Sequence, residues 1–187
     1  MVIVRYFIGL ALIMNSMTSI LAQELSLGGR LFWPVVLKMV RSDFPDVSQI
    51  PTDTLSVWLQ EEDTENKPLL LDVRTTEEFG VSHLKEAHLT PSEKEAATLL
   101  TDVPKDRRIV VYCSVGYRSS ELASGLMKQG FTNIYNLEGS LFAWANEGRP
   151  VYHNGQAVKV VHPYGGIWGK LLKEALRWKK PDKSSKE

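Results

Sequence analysis

The chain has 187 residues, 43% hydrophobic and 24% charged, with no repeat or low-complexity tract. That suits one globular domain with appendages and excludes a solenoid or a largely disordered protein. The formal net charge is zero, and the residues from Val151 onward hold 8 Lys+Arg against 3 Asp+Glu, so the main body is mildly acidic and nucleic acid is not an expected partner.

Residues 1–22 have the pattern of a targeting segment: Arg5, an apolar stretch from Tyr6 to Met14, then a more polar region ending at Ala22. The apolar core is shorter than the roughly 20 residues of a membrane span. A cleaved signal, cut after Ala22 or Ser19, is the preferred expectation, giving an exported protein, periplasmic or secreted; an uncleaved membrane anchor is the alternative. Residues 23–47 form an N-terminal arm, in which Leu27 to Met39 is apolar but interrupted by Gly28, Gly29 and Pro34, so a short helix and an extended arm both stay open.

Residues 48–151 read as the main domain. Thr52 or Asp53 can cap a helix carrying Leu55, Trp58 and Leu59 on one face. Leu69 to Val73 is a continuous apolar run, as expected of a strand buried on both faces. Glu77-Glu78-Phe79 begin a short helix, Ala87-His88-Leu89 a second strand, Glu93 to Leu100 a helix and Arg108 to Tyr112 a strand. Ser120 to Gln129 places Leu122, Ala123 and Leu126 on one helical face with Gly130 as its stop. Asn133 to Leu137 is another strand, followed by a helix through Leu141 and Trp144. Short buried strands alternating with helices predict a three-layer α/β/α domain with a mainly parallel sheet, which binds ligands at the carboxyl ends of its strands. Asp72 and Cys113 stand at such ends.

Residues 152–187 form the remaining appendage. Asn154-Gly155 suits a tight hairpin turn. Trp168, Leu171, Leu172, Ala175 and Leu176 make an apolar stripe flanked by lysines, predicting a basic amphipathic helix. It packs on its own domain in the preferred reading and makes peripheral membrane contact in the other.

Cys113 is the only cysteine, so the chain can form no internal disulfide and any sulfur chemistry needs an outside partner. It follows a strand and precedes Ser114-Val115-Gly116-Tyr117-Arg118-Ser119 and a helix. Backbone N–H groups and the positive helix end favour thiolate there, Gly116 can let the loop curl into a cup, and Arg118 suits an anionic substrate.

These residues in order resemble the rhodanese (sulfurtransferase) family across about Ile50 to Val151. Leu71-Asp72-Val73-Arg74 with Glu77-Glu78-Phe79 resembles its first signature, His83-Leu84 with Ala87 a second, and Cys113 to Ser119 the active loop C-x-x-G-x-R-S. Gly130-Phe131, Leu137-Glu138-Gly139 and Trp144 resemble the closing segment. Ser82 and Glu86 replace the usual glycines around His83, Ser140 replaces the second glycine after Leu137, and Ser114 is neutral where several active members carry a charged or larger polar residue.

The resemblance implies a thiosulfate sulfurtransferase. Cys113 would be the catalytic nucleophile, taking a sulfane sulfur from a small anionic donor such as thiosulfate and passing it to cyanide or a thiol, a thioredoxin-like protein among the candidates. Ser114, Val115, Gly116, Tyr117, Arg118 and Ser119 would bind substrate, their N–H groups holding the negative sulfur. Asp72 and Arg74 would support the loop, Asp72 either through Arg118 or by capping nearby N–H groups. His83 reads as a packed turn residue, and neither a metal nor another cofactor is implied. A persulfide carrier or partner-binding module with little turnover is the alternative. Phosphatase or arsenate chemistry is disfavoured, because related phosphatases place five residues between Cys and Arg and four lie between Cys113 and Arg118.

Overall fold

The computed structural model describes residues 27–63 and 66–180, so the expected targeting segment lies outside the described residues. Among them no helix is long and apolar enough to cross a membrane. The order is α1 (Leu27–Asp43), β1 (Ser48–Ile50), α2 (Thr52–Trp58), β2 (Leu69–Asp72), α3 (Thr76–Val81), β3 (His88–Leu89), α4 (Glu93–Leu99), β4 (Ile109–Tyr112), α5 (Tyr117–Lys128), β5 (Ile134–Leu137) and α6 (Ser140–Asn146). A hairpin of β6 (Val151–His153) and β7 (Gln156–Val158) follows, then 3-10 turns at Trp168–Leu171 and Glu174–Leu176.

Strands β1 to β5 form one sheet in the order β1-β5-β4-β2-β3, every neighbouring pair parallel. Alternation along β4 divides the interior into two cores. Ile109, Val111 and Cys113 face Leu71, Leu122, Ala123 and Leu126, whereas Val110 and Tyr112 belong with Leu55, Leu141 and Phe142. The sheet is therefore covered on both faces, as the apolar runs of β2 and β4 require. Their register pairs Asp72 with Tyr112, so the two carboxyl ends lie side by side and the next residue of β4's chain is Cys113.

The structure decides several local expectations. The arm is a helix: α1 runs through Pro34, buries Val36 and Val40, and is pinned by Trp33 Nε1 donating to the Leu171 carbonyl at 3.2 Å. Pro51, not Thr52 or Asp53, is the N-cap of α2; Thr52 is its first helical residue and donates its hydroxyl to Glu147 instead. Edge strand β1 falls in a stretch too short and polar to show strand periodicity, and pairing with β5 creates it. Asn154 and Gly155 take φ of 48° and 75°, as a type I′ turn demands.

The C-terminal stripe is not a continuous amphipathic helix but two 3-10 turns separated by extended Leu172. The Leu171 carbonyl accepts from both Trp33 and Asn146 and the Leu172 carbonyl from Arg177 Nε, so side-chain donors occupy acceptors a helix would use. Leu171 and Leu172 are fully buried. Burying both outweighs the weak local preference of a segment containing Gly169, since a helical glycine costs about 1 kcal/mol.

Candidate active site

The loop after β4 is built so that its backbone faces the sulfur. Gly116 has φ of 108° and caps α5, turning the chain back so that its N–H donates to Cys113 Sγ at 3.1 Å. A Cβ there would also lie 3.2 Å from Asn136 Nδ2, so conformation and space both call for glycine. From the other side the loop is tied to α6: Leu141 and Phe142 N–H groups donate to the carbonyls of Cys113 and Ser114 at 3.2 and 3.0 Å. The Cys113 N–H donates to Ser140 Oγ at 3.1 Å, and that hydroxyl donates to the Leu137 carbonyl.

Ser140 and Glu86, which stand where glycines were expected, keep the glycine-like backbone, at φ of 51° and 62°. Ser140 offsets the strain with two hydrogen bonds, so the substitution locks the loop rather than distorting it. Ser82 is in extended conformation and needs no glycine.

Cys113 is 1% exposed. Burial pushes its thiol up, but the Arg118 charge, the Ser119 hydroxyl and N–H, and the Gly116 N–H outweigh that, leaving its pKa below the ordinary thiol value. The Ser119 hydroxyl is buried with no partner of standard hydrogen-bond geometry, which fits a group kept for a sulfur anion. Val115 is buried, and Tyr117 at the rim stacks edge-on with Phe44 at 5.2 Å, its hydroxyl pushed above its ordinary range by the hydrogen bond to Asp43.

Arg118 is not paired with Asp72. Its Nη1 and Nη2 donate to the two carboxylate oxygens of Glu78 at 3.0 and 2.9 Å, and Nη2 also reaches Ser114 Oγ at 3.2 Å. Ser114 Oγ donates to Glu78 Oε1 at 2.8 Å. Asp72 instead holds Arg74: both its oxygens take Arg74 side-chain donors, at 2.7 to 3.1 Å, and Oδ1 accepts the Arg74 N–H. Fully buried, this pair also ties down the carbonyls of Glu78 and Ser82. Asp72 and Arg74 thus support the helix that carries Glu78 and make no hydrogen bond to the sulfur loop. His83 stacks on Phe79 at 4.0 Å with its Nδ1 at 2.9 Å from the Leu84 carbonyl, a packed turn residue.

Glu78 belongs to the first signature, but its motif assigns it no part in the site. Only 2% exposed, it closes a capping box with Thr75 at the start of α3 while gripping the loop arginine. Burial pushes its carboxyl up, but hydrogen bonds from Arg118, Thr75 and Ser114 bring it down to about 2, so it is an anion at neutral pH. The spacing Thr75-x-x-Glu78 was the available signal.

The mouth of the cup opens into a cavity of about 300 Å³. Besides the loop, α1 contributes Met39 and Asp43, and the C-terminal segment contributes Tyr164 and Trp168. The Arg118 guanidinium lies 4.7 Å from the centre of the Tyr164 ring.

The sequence model of the Rhodanese-like domain family matches residues 56–147. A sulfurtransferase of Allochromatium vinosum is 36% identical over 110 residues, covering 56% of this chain and 94% of that protein. The probable adenylyltransferase/sulfurtransferase MoeZ of Mycobacterium tuberculosis is 35% identical over 104 residues, covering 55% of this chain and only 26% of MoeZ. The crystal structure of an Anabaena sp. protein superposes with a TM-score of 0.50 at 25% identity, over 56% of this chain and 80% of that one. Helix α1 and the segment carrying Tyr164 and Trp168 lie outside the residues that the family model matches.

Proposed function

The chain belongs to the rhodanese-like family, and we propose that it is a sulfurtransferase working through a persulfide on Cys113. The observation that carries this is the buried sulfur at the end of β4, held by the Gly116 N–H at 3.1 Å and under the charge of Arg118. The Cys113 thiolate attacks the outer sulfur of a sulfane donor; the new Sγ–S bond forms as the donor's S–S bond breaks, and with thiosulfate the leaving group is sulfite. Charge balances without an oxidant or reductant. The terminal sulfur of the persulfide takes the donors that held the thiolate, and a thiophilic acceptor, cyanide or a thiol, then removes it. No separate base is needed, because the thiol's pKa is already lowered.

Incubation with thiosulfate followed by intact-mass measurement tests this. Wild type should gain one sulfur atom and lose it on adding cyanide, and Cys113→Ser should gain none. A wild-type protein that acquires no sulfur from any sulfane donor removes the proposal. The burial of Cys113 favours a second reading, a persulfide carrier with little turnover; single loading without steady-state thiocyanate production is its signature. We further propose export, supported by Arg5 and the apolar stretch from Tyr6 to Met14, with cell fractionation as the test.

A further inference from the structure

Thiosulfate is a small dianion, and the cavity in front of Cys113 is shaped and charged for something else. We propose that Tyr164 and Trp168, with Met39, make this a site for an organic sulfane-sulfur donor of low charge carrying an apolar group, an aryl or alkyl thiosulfonate or persulfide. The inference rests on the persulfide reading above and specifies its donor.

Volume is the first observation. About 300 Å³ is at the lower limit of pockets that enclose organic ligands, whereas a five-atom anion displaces only a small part of it. Apolar or aromatic side chains line much of it: Val115 and Tyr117 from the loop, and Met39, Tyr164 and Trp168 beyond the cup. An inorganic anion gains nothing from those surfaces, while an aryl or alkyl group buried against them gains about 25 cal/mol for each Å² removed from water.

Charge is the second. Among the described residues lining the cavity the only cation is Arg118, and the fork formed by its two terminal nitrogens is closed on Glu78. The Glu78 carboxylate offsets the guanidinium, Asp43 stands at the rim, and the attacking sulfur is itself an anion. A dianion entering such a site meets like charge beside a guanidinium fork already taken by a carboxylate, and that penalty falls for a monoanionic thiosulfonate or persulfide.

The backbone supplies the third. Tyr164 has φ of 62°, unusual for a bulky residue, between Pro163 and the positive-φ pair Gly165 and Gly166. Held there, its ring lies against Arg118 while the residue stays 47% exposed, so a strained position sets one face of the entrance. With a thiosulfonate the Cys113 thiolate forms Sγ–S as the donor's sulfane S–S bond breaks, and an organic sulfinate leaves with the electron pair.

Steady-state sulfur transfer to cyanide, with benzenethiosulfonate and thiosulfate as alternative donors, tests the assignment. Wild type should favour benzenethiosulfonate by at least about tenfold in kcat/KM, the worth of about 1.4 kcal/mol. Tyr164→Ala should shrink that preference severalfold, chiefly through a higher KM for benzenethiosulfonate, and Tyr164→Phe should retain it. Preference for thiosulfate, or a ratio unmoved by Tyr164→Ala, overturns the donor assignment while leaving the persulfide mechanism standing. Failure of both donors to add sulfur to wild-type Cys113 by mass overturns the mechanism and the assignment with it.

Discussion

Replacing Glu78 by glutamine isolates the charge that anchors the loop. Glutamine keeps the shape and one carbonyl acceptor, so Glu78→Gln resembles a permanently protonated Glu78. The folded carboxyl titrates at about 2, against about 4.3 for an unperturbed glutamate. At 1.36 kcal/mol per pKa unit, ionisation of this group stabilises the fold by about 3 kcal/mol at neutral pH. Because the folded value is depressed, that stability is complete above about pH 4.3 and is lost as pH falls through 2. Urea denaturation should therefore show the variant about 3 kcal/mol less stable at pH 7, and thermal unfolding should show a midpoint lower by roughly 6–12 °C for a domain of this size. The gap should narrow steadily below pH 4. A difference under 1 kcal/mol at pH 7, or one that does not change with pH, would refute the reasoning. Freed from its counter-charge, Arg118 should also draw the Cys113 thiol pKa lower, so that iodoacetamide alkylation of the variant begins at more acid pH.

Three further outcomes follow from the same geometry. Arg118→Ala removes the largest influence favouring the Cys113 thiolate, so its alkylation profile should move to higher pH; a profile identical to wild type would mean the backbone donors alone set the thiol. Asp72→Asn leaves the Arg74 guanidinium buried without its counter-ion and should cost about 3–5 kcal/mol in chemical denaturation, while the folded variant keeps the wild-type alkylation profile because neither residue is bonded to the sulfur loop and Glu78 keeps its own pair with Arg118. Glu86→Gly relieves a left-handed backbone at an exposed position and should raise stability by about 1 kcal/mol in urea denaturation; a loss there would show that the Glu86 side chain contributes more than its backbone costs.

The parts of this fold legible in the sequence are those where one residue pattern permits one answer. Leu69 to Asp72 and Ile109 to Tyr112 are apolar at successive positions, which only a strand covered on both faces tolerates, and the loop Cys113 to Ser119 announces a sulfur cup through its glycine and arginine. Strand β1 and the 3-10 turns gave no such signal, because each exists through a partner distant in sequence: β5 for the former, Trp33 and Asn146 for the latter. Asp72 shows the same limit within the site. Its place at a strand end was correct, but Arg74 and Arg118 are both within reach of a sequence argument and only the packed structure decides between them. The register that sets Asp72 beside Tyr112 points Arg74 under α3, and the bidentate partner left to Arg118 is Glu78.

That pairing changes what the active loop can recognise. An arginine beside a nucleophilic cysteine reads, from sequence alone, as an anchor for an anionic donor. With its fork closed on a carboxylate that is ionised at neutral pH, Arg118 acts on the sulfur through charge and holds Ser114 in place, and the paired Nη donors that would grip a sulfonate are engaged by Glu78. Recognition then passes to surfaces the family match does not include: Met39 and Asp43 from α1, and Tyr164 and Trp168 from the C-terminal segment. Those two appendages pack on each other, with Phe32 and Trp168 rings 5.9 Å apart and Trp33 bonded to Leu171, so they form a continuous wall rather than independent tails. The chemistry resides in the shared loop and the choice of donor in the wall. Substitutions in the wall should therefore alter which sulfur compound is used without altering the thiol's pH profile, whereas Glu78→Gln, which loosens the grip on the Arg118 fork, should move the pH profile and also ease the use of thiosulfate.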